Sequence, residues 1–216
     1  MPDTPQVLMF IAAGWLLNLT PGPDVLYIVS NALKSGVRAG IVAALGIVSG
    51  CFVHVFAAAL GVSALLATSA TAFTVLKWIG AAYLVWMGIK LLLARGGSSV
   101  VPTDTAQIKV PADLGRIYRR GFLTNVLNPK VALFFLAFVP QFIAPGTPDK
   151  VTAFLLLGLL FNLNSLPINF GYAWLAGWAA GRLSAVQRTM HWMDRAAGAM
   201  FVGFGLKLAM SDNPSR

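Results

Sequence analysis

Long apolar runs alternate with short polar stretches along the chain, and they predict six membrane-spanning helices. Each run is near the roughly 20 residues that an α-helix needs to cross the hydrocarbon core. Alternating segments of about ten residues would instead be typical of a membrane β-barrel. The predicted spans are Val7 to Asn31, Ala39 to Ala67, Ala72 to Leu93, Gly121 to Ile143, Val151 to Ala179 and Trp192 to Met210.

One polar stretch is long enough to divide the chain. Residues 95–118 contain a Gly-Gly-Ser-Ser sequence, two prolines and charges of both signs, which predicts a loop in water. We therefore expect a three-helix unit at residues 1–94, a linker at residues 95–118 and a second three-helix unit at residues 119–216. The predicted fold class is an all-α membrane protein.

Composition excludes a soluble globule. The chain is 57% hydrophobic and 11% charged, with a mean hydropathy of +0.75. Its formal charge of +9 would suggest a nucleic-acid partner in a soluble protein, but here the basic residues flank predicted spans, so we expect no nucleic acid.

The single cysteine, Cys51, permits no intramolecular disulfide. His54 and His191 stand far apart and there is no glutamate, so neither a metal nor another cofactor is expected.

The distribution of basic residues predicts the orientation of the chain. The connections carry 11 Lys and Arg residues on one side of the membrane and 4 on the other. The positive-inside rule places the linker in the cytoplasm and both termini outside. The side with 11 has Lys34, Arg38, Lys90, Arg95, Lys109, Arg116, Arg119, Arg120, Arg182, Arg188 and Arg195; the other has Lys77, Lys150, Lys207 and Arg216.

An internal repeat relates the two halves of the chain. Residues 23–25 (PDV) align with residues 129–131 (PKV). Gly80 and residues 88–90 in span three align, with a one-residue shift, with Gly198 and residues 205–207 in span six. Three spans in each half would make the second half enter the membrane from the opposite face, which predicts two inverted three-helix repeats of the kind found in secondary transporters.

The first polar interruption lies inside span one, at residues 18–24 (NLTPGPD). Thr20 is suited to cap a restarting helix, Pro21 to be its first residue and Asp24 to lie in its first turn. The free N–H groups of such a helix attract a carboxylate, while Asp24 suits an ammonium group, so together they fit an amino acid zwitterion. The alternative is a proline kink in which Asp24 pairs with a neighbouring residue.

The second interruption lies in span four. Asn128 can cap a helix that restarts at Pro129, which places Lys130 near the middle of the membrane. A lysine there must extend to the interface, pair with an acid or meet an anion. Pairing with Asp24 and direct contact with the substrate both remain open.

Other polar residues occur within predicted spans. Span five carries five residues that are expected to line a pathway or to bond neighbouring helices, because bare amides are costly in lipid: Asn162, Asn164, Ser165, Pro167 and Asn169. His54 in span two can relay protons or be a buried, hydrogen-bonded structural residue. Gly46 and Gly50 have the spacing of closely packed helices.

The paired interruptions resemble those of the LysE/RhtB amino acid exporter family. The likeness rests on residues 18–23 (NLTPGP) and 121–130 (GFLTNVLNPK), and it covers essentially the whole chain. It implies a multi-pass bacterial inner-membrane protein that exports amino acids or derivatives such as lysine, threonine, homoserine, homoserine lactone or leucine, with proton antiport as the coupling. Substrate identity does not carry over. The positions matching the family pattern are Thr20, Pro21, Gly22, Pro23, Asp24, Asn125, Asn128, Pro129 and Lys130.

The leading hypothesis is a secondary exporter with alternating access around a site between spans one and four. Its partners would be a small amino acid, protons and the lipid bilayer, with a homo-oligomer left open. Alternatives are a passive channel, a membrane scaffold, or an intramembrane hydrolase using Ser49 or Cys51 with His54. The residues predicted to bind substrate or couple protons are the nine matching positions together with Asn18, His54, Asn162, Asn164 and Asn169.

Overall fold

The computed structural model describes residues 4–62, 70–93, 112–144, 147–179, 195, 198–199, 201–203 and 205–210. All regular structure in these residues is helical, which confirms the all-α prediction. Residues 201–203 and 205–210 are helical, and they belong to the sixth predicted span. The named helices are α1 (Thr4–Leu19), α2 (Pro23–Ser35), α3 (Val37–Ala57), α4 (Ala70–Leu93), α5 (Leu114–Val126), α6 (Pro129–Leu133) and α7 (Lys150–Trp178).

Within the described part of the chain, two helices are long and apolar enough to cross a membrane on their own. They are Val37–Gly61, which includes α3, and α7, with 25 and 29 residues. α5 and the segment Pro129–Phe142 bend by 47° at their junction and together make a third candidate. This segment continues α6 through a π-helix at Phe134–Phe138 and a 3-10 helix at Val139–Phe142. The described residues therefore support a membrane protein with spanning helices in both halves.

Span one is broken, as predicted, but the second helix starts two residues later than expected. α2 begins at Pro23, with Gly22 in the N-cap position. Thr20 does not cap it, because the Thr20 Oγ1 donates a hydrogen bond to the carbonyl oxygen of Leu16 at 2.6 Å and closes the end of α1. Pro23 lacks an N–H and is suited to the first helical position. Asp24 still lies in the first turn, as predicted.

The break in span four has the predicted geometry. Asn128 is the N-cap of α6, its Oδ1 accepting a hydrogen bond from the backbone N–H of Lys130 at 3.0 Å, and Pro129 is the first helical residue. The linker, however, ends earlier than expected, because α5 begins at Leu114. Asp113 causes this early start: its side chain accepts a hydrogen bond from the N–H of Arg116 at 3.0 Å and caps the helix.

Helices from the two halves pack side by side in parallel pairs. α3 lies along α5: a Cβ on Gly50 would be 2.5 Å from the carbonyl oxygen of Phe122, so glycine is needed for this approach and the expected close packing is confirmed. α1 lies along α7, where Asn164 donates to the carbonyl oxygen of Ile11 at 3.2 Å, and Tyr172, further along α7, donates to that of Leu19 at 2.9 Å.

Two further pairs are antiparallel. α3 runs against α7, with Gly158 beside Val55 and Gly177 beside Val37. α4 runs against the sixth predicted span, where a Cβ on Gly88 would lie 2.6 Å from the carbonyl oxygen of Gly198. Near the middle of α4, a Cβ on Gly205 would lie 2.9 Å from the carbonyl oxygen of Ala81.

The buried core has different residue types on the two sides of the helix breaks. Towards the start of α1 and α7 it is a cluster of phenylalanine rings, including Phe134 and Phe161 with centroids 5.1 Å apart. Towards the end of α2 and α7 it is a layer of smaller aliphatic residues, Val25, Val29, Ala32 and Ala176, with Leu33 and Tyr172 packed against them. The breaks lie between these two layers.

Candidate functional site

Asp24 is a buried carboxylate, only 8% exposed, at the start of α2. Its Oδ2 accepts hydrogen bonds from the amide nitrogens of Asn125 and Asn128, both at 2.9 Å. Its Oδ1 has no hydrogen-bond partner. A buried carboxylate oxygen without a donor is costly, so this atom is available to bind a proton or an ammonium group.

Lys130 is a buried ammonium group, 5% exposed, at the start of α6. Its Nζ donates hydrogen bonds to the carbonyl oxygens of Leu17 at 3.0 Å and Thr20 at 3.1 Å. It therefore binds the end of α1, while the amides of Asn125 and Asn128 bind Asp24. An ammonium has three donors, so one N–H of Lys130 remains for another acceptor. A Cβ on Gly22 would lie 3.3 Å from this nitrogen, so glycine leaves room for the lysine.

A small cavity joins the two breaks. Its volume is about 20 Å³, room for about one water molecule. An amino acid is larger, so the helices must separate before one can enter. The cavity is lined by Leu17, Asn18, Asp24, Val25, Ile47, Val48, Cys51, Asn125, Lys130, Val131, Phe161, Asn162, Ser165 and Asn169.

The family model described as LysE type translocator matches residues 15–212. The chain belongs to the LysE family. A protein of Salmonella typhimurium described as a homoserine/homoserine lactone efflux protein is 30% identical over 200 residues, covering 93% of this chain and 94% of that protein. An uncharacterized membrane protein of Vibrio cholerae is 37% identical over 202 residues, covering 94% and 95%. No solved structure matches significantly.

The asparagines of α7 divide into two groups in this LysE translocator. Asn162 and Asn169 line the cavity, as one of the two predicted alternatives requires. Asn164 is not among the lining residues: its Nδ2 binds the carbonyl of Ile11, and its Oδ1 accepts from the indole of Trp15. It joins α1 to α7. Asn162 is 2% exposed, and neither of its amide atoms has a partner.

His54 lies outside the cavity and contacts the backbone of Asn125, a residue that lines it. It is buried on α3, and its Nε2 lies 2.9 Å from the backbone oxygen of Asn125. Because a carbonyl oxygen only accepts, the Nε2 carries the proton in this contact. His54 is not among the cavity-lining residues of the translocator and acts on Asn125, whose amide binds Asp24.

Asn18 and the prolines fill different positions. Asn18 lines the cavity and donates to the carbonyl oxygen of Gly14 at 2.8 Å. Pro23 and Pro129 start the two inner helices but are exposed, and Pro21 is half-buried in the link between α1 and α2. They shape the backbone at the breaks.

Sequence reasoning did not include the remaining lining residues in the predicted site. Ser165 lies three residues after Asn162 and four before Asn169, a helical spacing that places all three on one face. Ser165 was expected to line a pathway or bond a neighbouring helix, but it was not among the residues predicted to bind substrate, and this spacing could have added it. Ile47, Val48 and Cys51 follow a similar spacing on α3, but apolar residues with this pattern are indistinguishable in sequence from ordinary packing residues.

The geometry does not join Ser49 to His54, one of the two nucleophile and base pairs considered for hydrolysis. Ser49 donates to the carbonyl oxygen of Leu45 and accepts from the hydroxyl of Tyr118 at 2.7 Å. His54 binds the carbonyl of Asn125. The histidine is therefore engaged away from Ser49, the arrangement opposite to that of an activated nucleophile.

Proposed function

We propose that this chain is a secondary exporter that moves an amino acid or a close derivative across the bacterial inner membrane in exchange for protons. Membership of the LysE translocators and the description of the Salmonella relative support the substrate class. The observation that carries the proposal is the presence of two opposite buried charges, Asp24 and Lys130, in the lining of one cavity between two helix breaks.

The two charges match the two ends of a zwitterion. The unpartnered Oδ1 of Asp24 is an acceptor for the substrate ammonium. The remaining N–H of Lys130 is a donor for its carboxylate, and the start of α2 beside it adds free backbone N–H groups. Binding of a zwitterion would thus supply hydrogen bonds that the two buried charges otherwise lack.

Proton coupling follows from competition at Asp24. The same carboxylate oxygen binds either a proton or the substrate ammonium, so loading one releases the other. An inward membrane potential contributes about 2.3 kcal/mol per elementary charge per 100 mV, so exchange of an outgoing zwitterion for an incoming proton is strongly driven.

Alternating access requires two conformations, and we propose that inverted repeats provide them. In the proposed six-span arrangement, α1 with α2 and α5 with α6 are the first spans of the two halves. The contacts support this arrangement, because α1 is parallel to α7 just as α5 is parallel to α3. Exchanging the two halves converts each pair into the other. Rocking of the halves would widen the cavity on alternate faces.

The proposed orientation places the linker, predicted at residues 95–118 and ended at residue 113 by the start of α5, in the cytoplasm, following the positive-inside rule. The aromatic cluster then lies on the periplasmic side of the site and the small-residue layer on the cytoplasmic side. An exporter that loads from the cytoplasm would open first through this small-residue layer, which lacks the packed phenylalanine rings of the other side.

The test is export from cells loaded with dipeptides, which release amino acids internally. Expression of the wild-type chain is expected to raise release of its substrate over empty cells, and Asp24→Asn or Lys130→Ala to remove most of that increase. Asp149→Asn is the matched control, because Asp149 is an exposed acid outside the cavity. If both cavity variants exported as well as the wild type, the proposed site would be wrong. Flux that ignores the proton gradient would favour a channel.

A further inference from the structure

The side chain of Asn162 differs from the neighbouring amides. Asn125 binds Asp24 through its nitrogen, and Asn128 uses both of its amide atoms within the two breaks. Asn162 uses neither, although it is 2% exposed and lines the cavity. A buried amide without partners is unfavourable, and a ligand that supplies both a donor and an acceptor removes the penalty.

Neighbouring residues do not satisfy this amide. Ser165, one turn later, donates its hydroxyl hydrogen bond to the backbone oxygen of Asn162 at 2.8 Å, leaving the side-chain amide untouched. Among the described residues, the thiol of Cys51 is the one side chain with a hydrogen-bonding interaction towards this amide, but it lies beyond normal hydrogen-bond distance, and a thiol is too weak a donor and acceptor to satisfy both amide atoms. Phe161 and Leu17 offer only apolar surface to the cavity. The missing partner is therefore a polar group on whatever fills the cavity.

A hydroxyl group fits Asn162 because it donates and accepts at once. Its hydrogen can go to the Oδ1, while its oxygen accepts from the Nδ2. The ammonium and carboxylate of an amino acid are already matched by Asp24 and Lys130, so the group left for Asn162 is on the side chain.

We propose that Asn162 is a specificity-determining residue that binds the side-chain hydroxyl of the transported amino acid. This inference rests on the proposed export function and narrows its substrate class to hydroxy amino acids. A site built to bond a hydroxyl discriminates strongly against the analogue that lacks it, because the polar group of the protein is then left unpaired.

The test compares substrates of similar shape in which a methyl group replaces the hydroxyl. Purified protein in proteoliposomes is assayed with homoserine against norvaline and with threonine against valine. For a pair that is transported, the wild type is expected to carry the hydroxy amino acid at least about tenfold faster than its methyl analogue. In Asn162→Leu the two transport rates are expected to differ by less than about threefold. Leu163→Ile is the control, because Leu163 is the next residue of α7 and is exposed on the outer surface.

A second measurement separates substrate recognition from folding. Homoserine is expected to raise the melting temperature of the wild type and to lose this effect in Asn162→Leu and Asn162→Ala. The unliganded Asn162→Leu protein is expected to be at least as stable as the wild type, because the variant removes an unpaired buried amide.

The outcomes distinguish the two proposals. A wild type that carries amino acids without preferring hydroxy members, or a preference that persists in Asn162→Leu and Asn162→Ala, overturns the role of Asn162 and leaves the export function standing. A wild type that carries no amino acid overturns both.

Discussion

Asp24 and Lys130 are each bound by the helix break that precedes the other. The carboxylate of Asp24, at the start of α2, accepts hydrogen bonds from Asn125 and Asn128, which precede Lys130. The ammonium of Lys130, at the start of α6, donates to the carbonyls of Leu17 and Thr20, which precede Asp24.

This reciprocity couples the two breaks mechanically. Since each charge is bound to the opposite span, moving one span relative to the other changes the bonds of both charges together. A substrate that binds Asp24 and Lys130 simultaneously would replace some of these cross-links. That exchange is a physical route by which occupancy of the cavity can favour one arrangement of the two spans over the other.

The first prediction concerns the charge balance of this pair. Lys130→Met is expected to lower the free energy of unfolding by about 3–5 kcal/mol, because it leaves the buried carboxylate of Asp24 uncompensated. The double variant Asp24→Asn/Lys130→Met is expected to recover much of that loss, since neither buried charge remains. Unfolding in detergent micelles measures all four proteins of the cycle, and additive losses would contradict coupling between the two residues.

The second prediction separates the capping role of Asn128 from its bond to Asp24. Asn128→Ala is expected to cost about 0.5–2 kcal/mol of stability, because α6 loses its cap. Asn128→Ser keeps a capping oxygen but has no amide nitrogen to donate to Asp24. It is expected to restore stability without restoring export, as measured by unfolding and by the dipeptide assay. A serine variant that exports like the wild type would show that the bond to Asp24 is dispensable.

The sequence predicted those parts of the site that depend on local chemistry. Asn128 followed by Pro129 forms the expected helix start, because an amide oxygen caps a backbone N–H two residues away and proline needs no partner for its own nitrogen. In span one, Thr20-Pro21 and Gly22-Pro23 both fit a helix start. The hydroxyl of Thr20 can either cap the following helix or donate to the carbonyl oxygen of Leu16 in the preceding one. Only the structure shows that it donates to Leu16, so that the helix starts at Pro23 and not at Pro21.

Tertiary partners were beyond local reasoning. Asn162 and Asn164 lie two residues apart on one helix and have the same chemistry, yet one lines the cavity while the other bonds α1. Their roles depend on which helices flank α7, a consequence of packing between residues about 150 positions apart. Lys130 similarly required the position of the α1 carbonyls before its partners could be named.

The third prediction concerns orientation. A reporter inserted in the linker at residues 95–111 is expected to behave as cytoplasmic, because most basic residues flank the connections on that side. Fluorescent protein is active in the cytoplasm and alkaline phosphatase in the periplasm, so insertions of the two reporters at the same position should give opposite results. High phosphatase activity at this linker would reverse the proposed orientation and place the aromatic layer on the cytoplasmic side.

The last prediction tests the contact between α3 and α5, which supports the site. A Cβ at Gly50 would lie 2.5 Å from the backbone oxygen of Phe122 and 3.1 Å from the Cβ of Asn125. A backbone atom cannot rotate away, so Gly50→Ala must separate the helices, at an expected cost of about 1–3 kcal/mol in stability.

The same variant is expected to lower export, because α5 carries Asn125 and so sets its distance from Asp24. Gly171→Ala is the matched control: it lies within α7, has open space at the Cβ position, and should be as stable as the wild type or more so, since alanine favours helix by about 0.5–1 kcal/mol. The measurements are the melting temperatures of both variants in detergent and their export rates. Equal stability of Gly50→Ala and Gly171→Ala would mean that α3 and α5 are not in close contact, and Asn125 would then need another means of reaching Asp24.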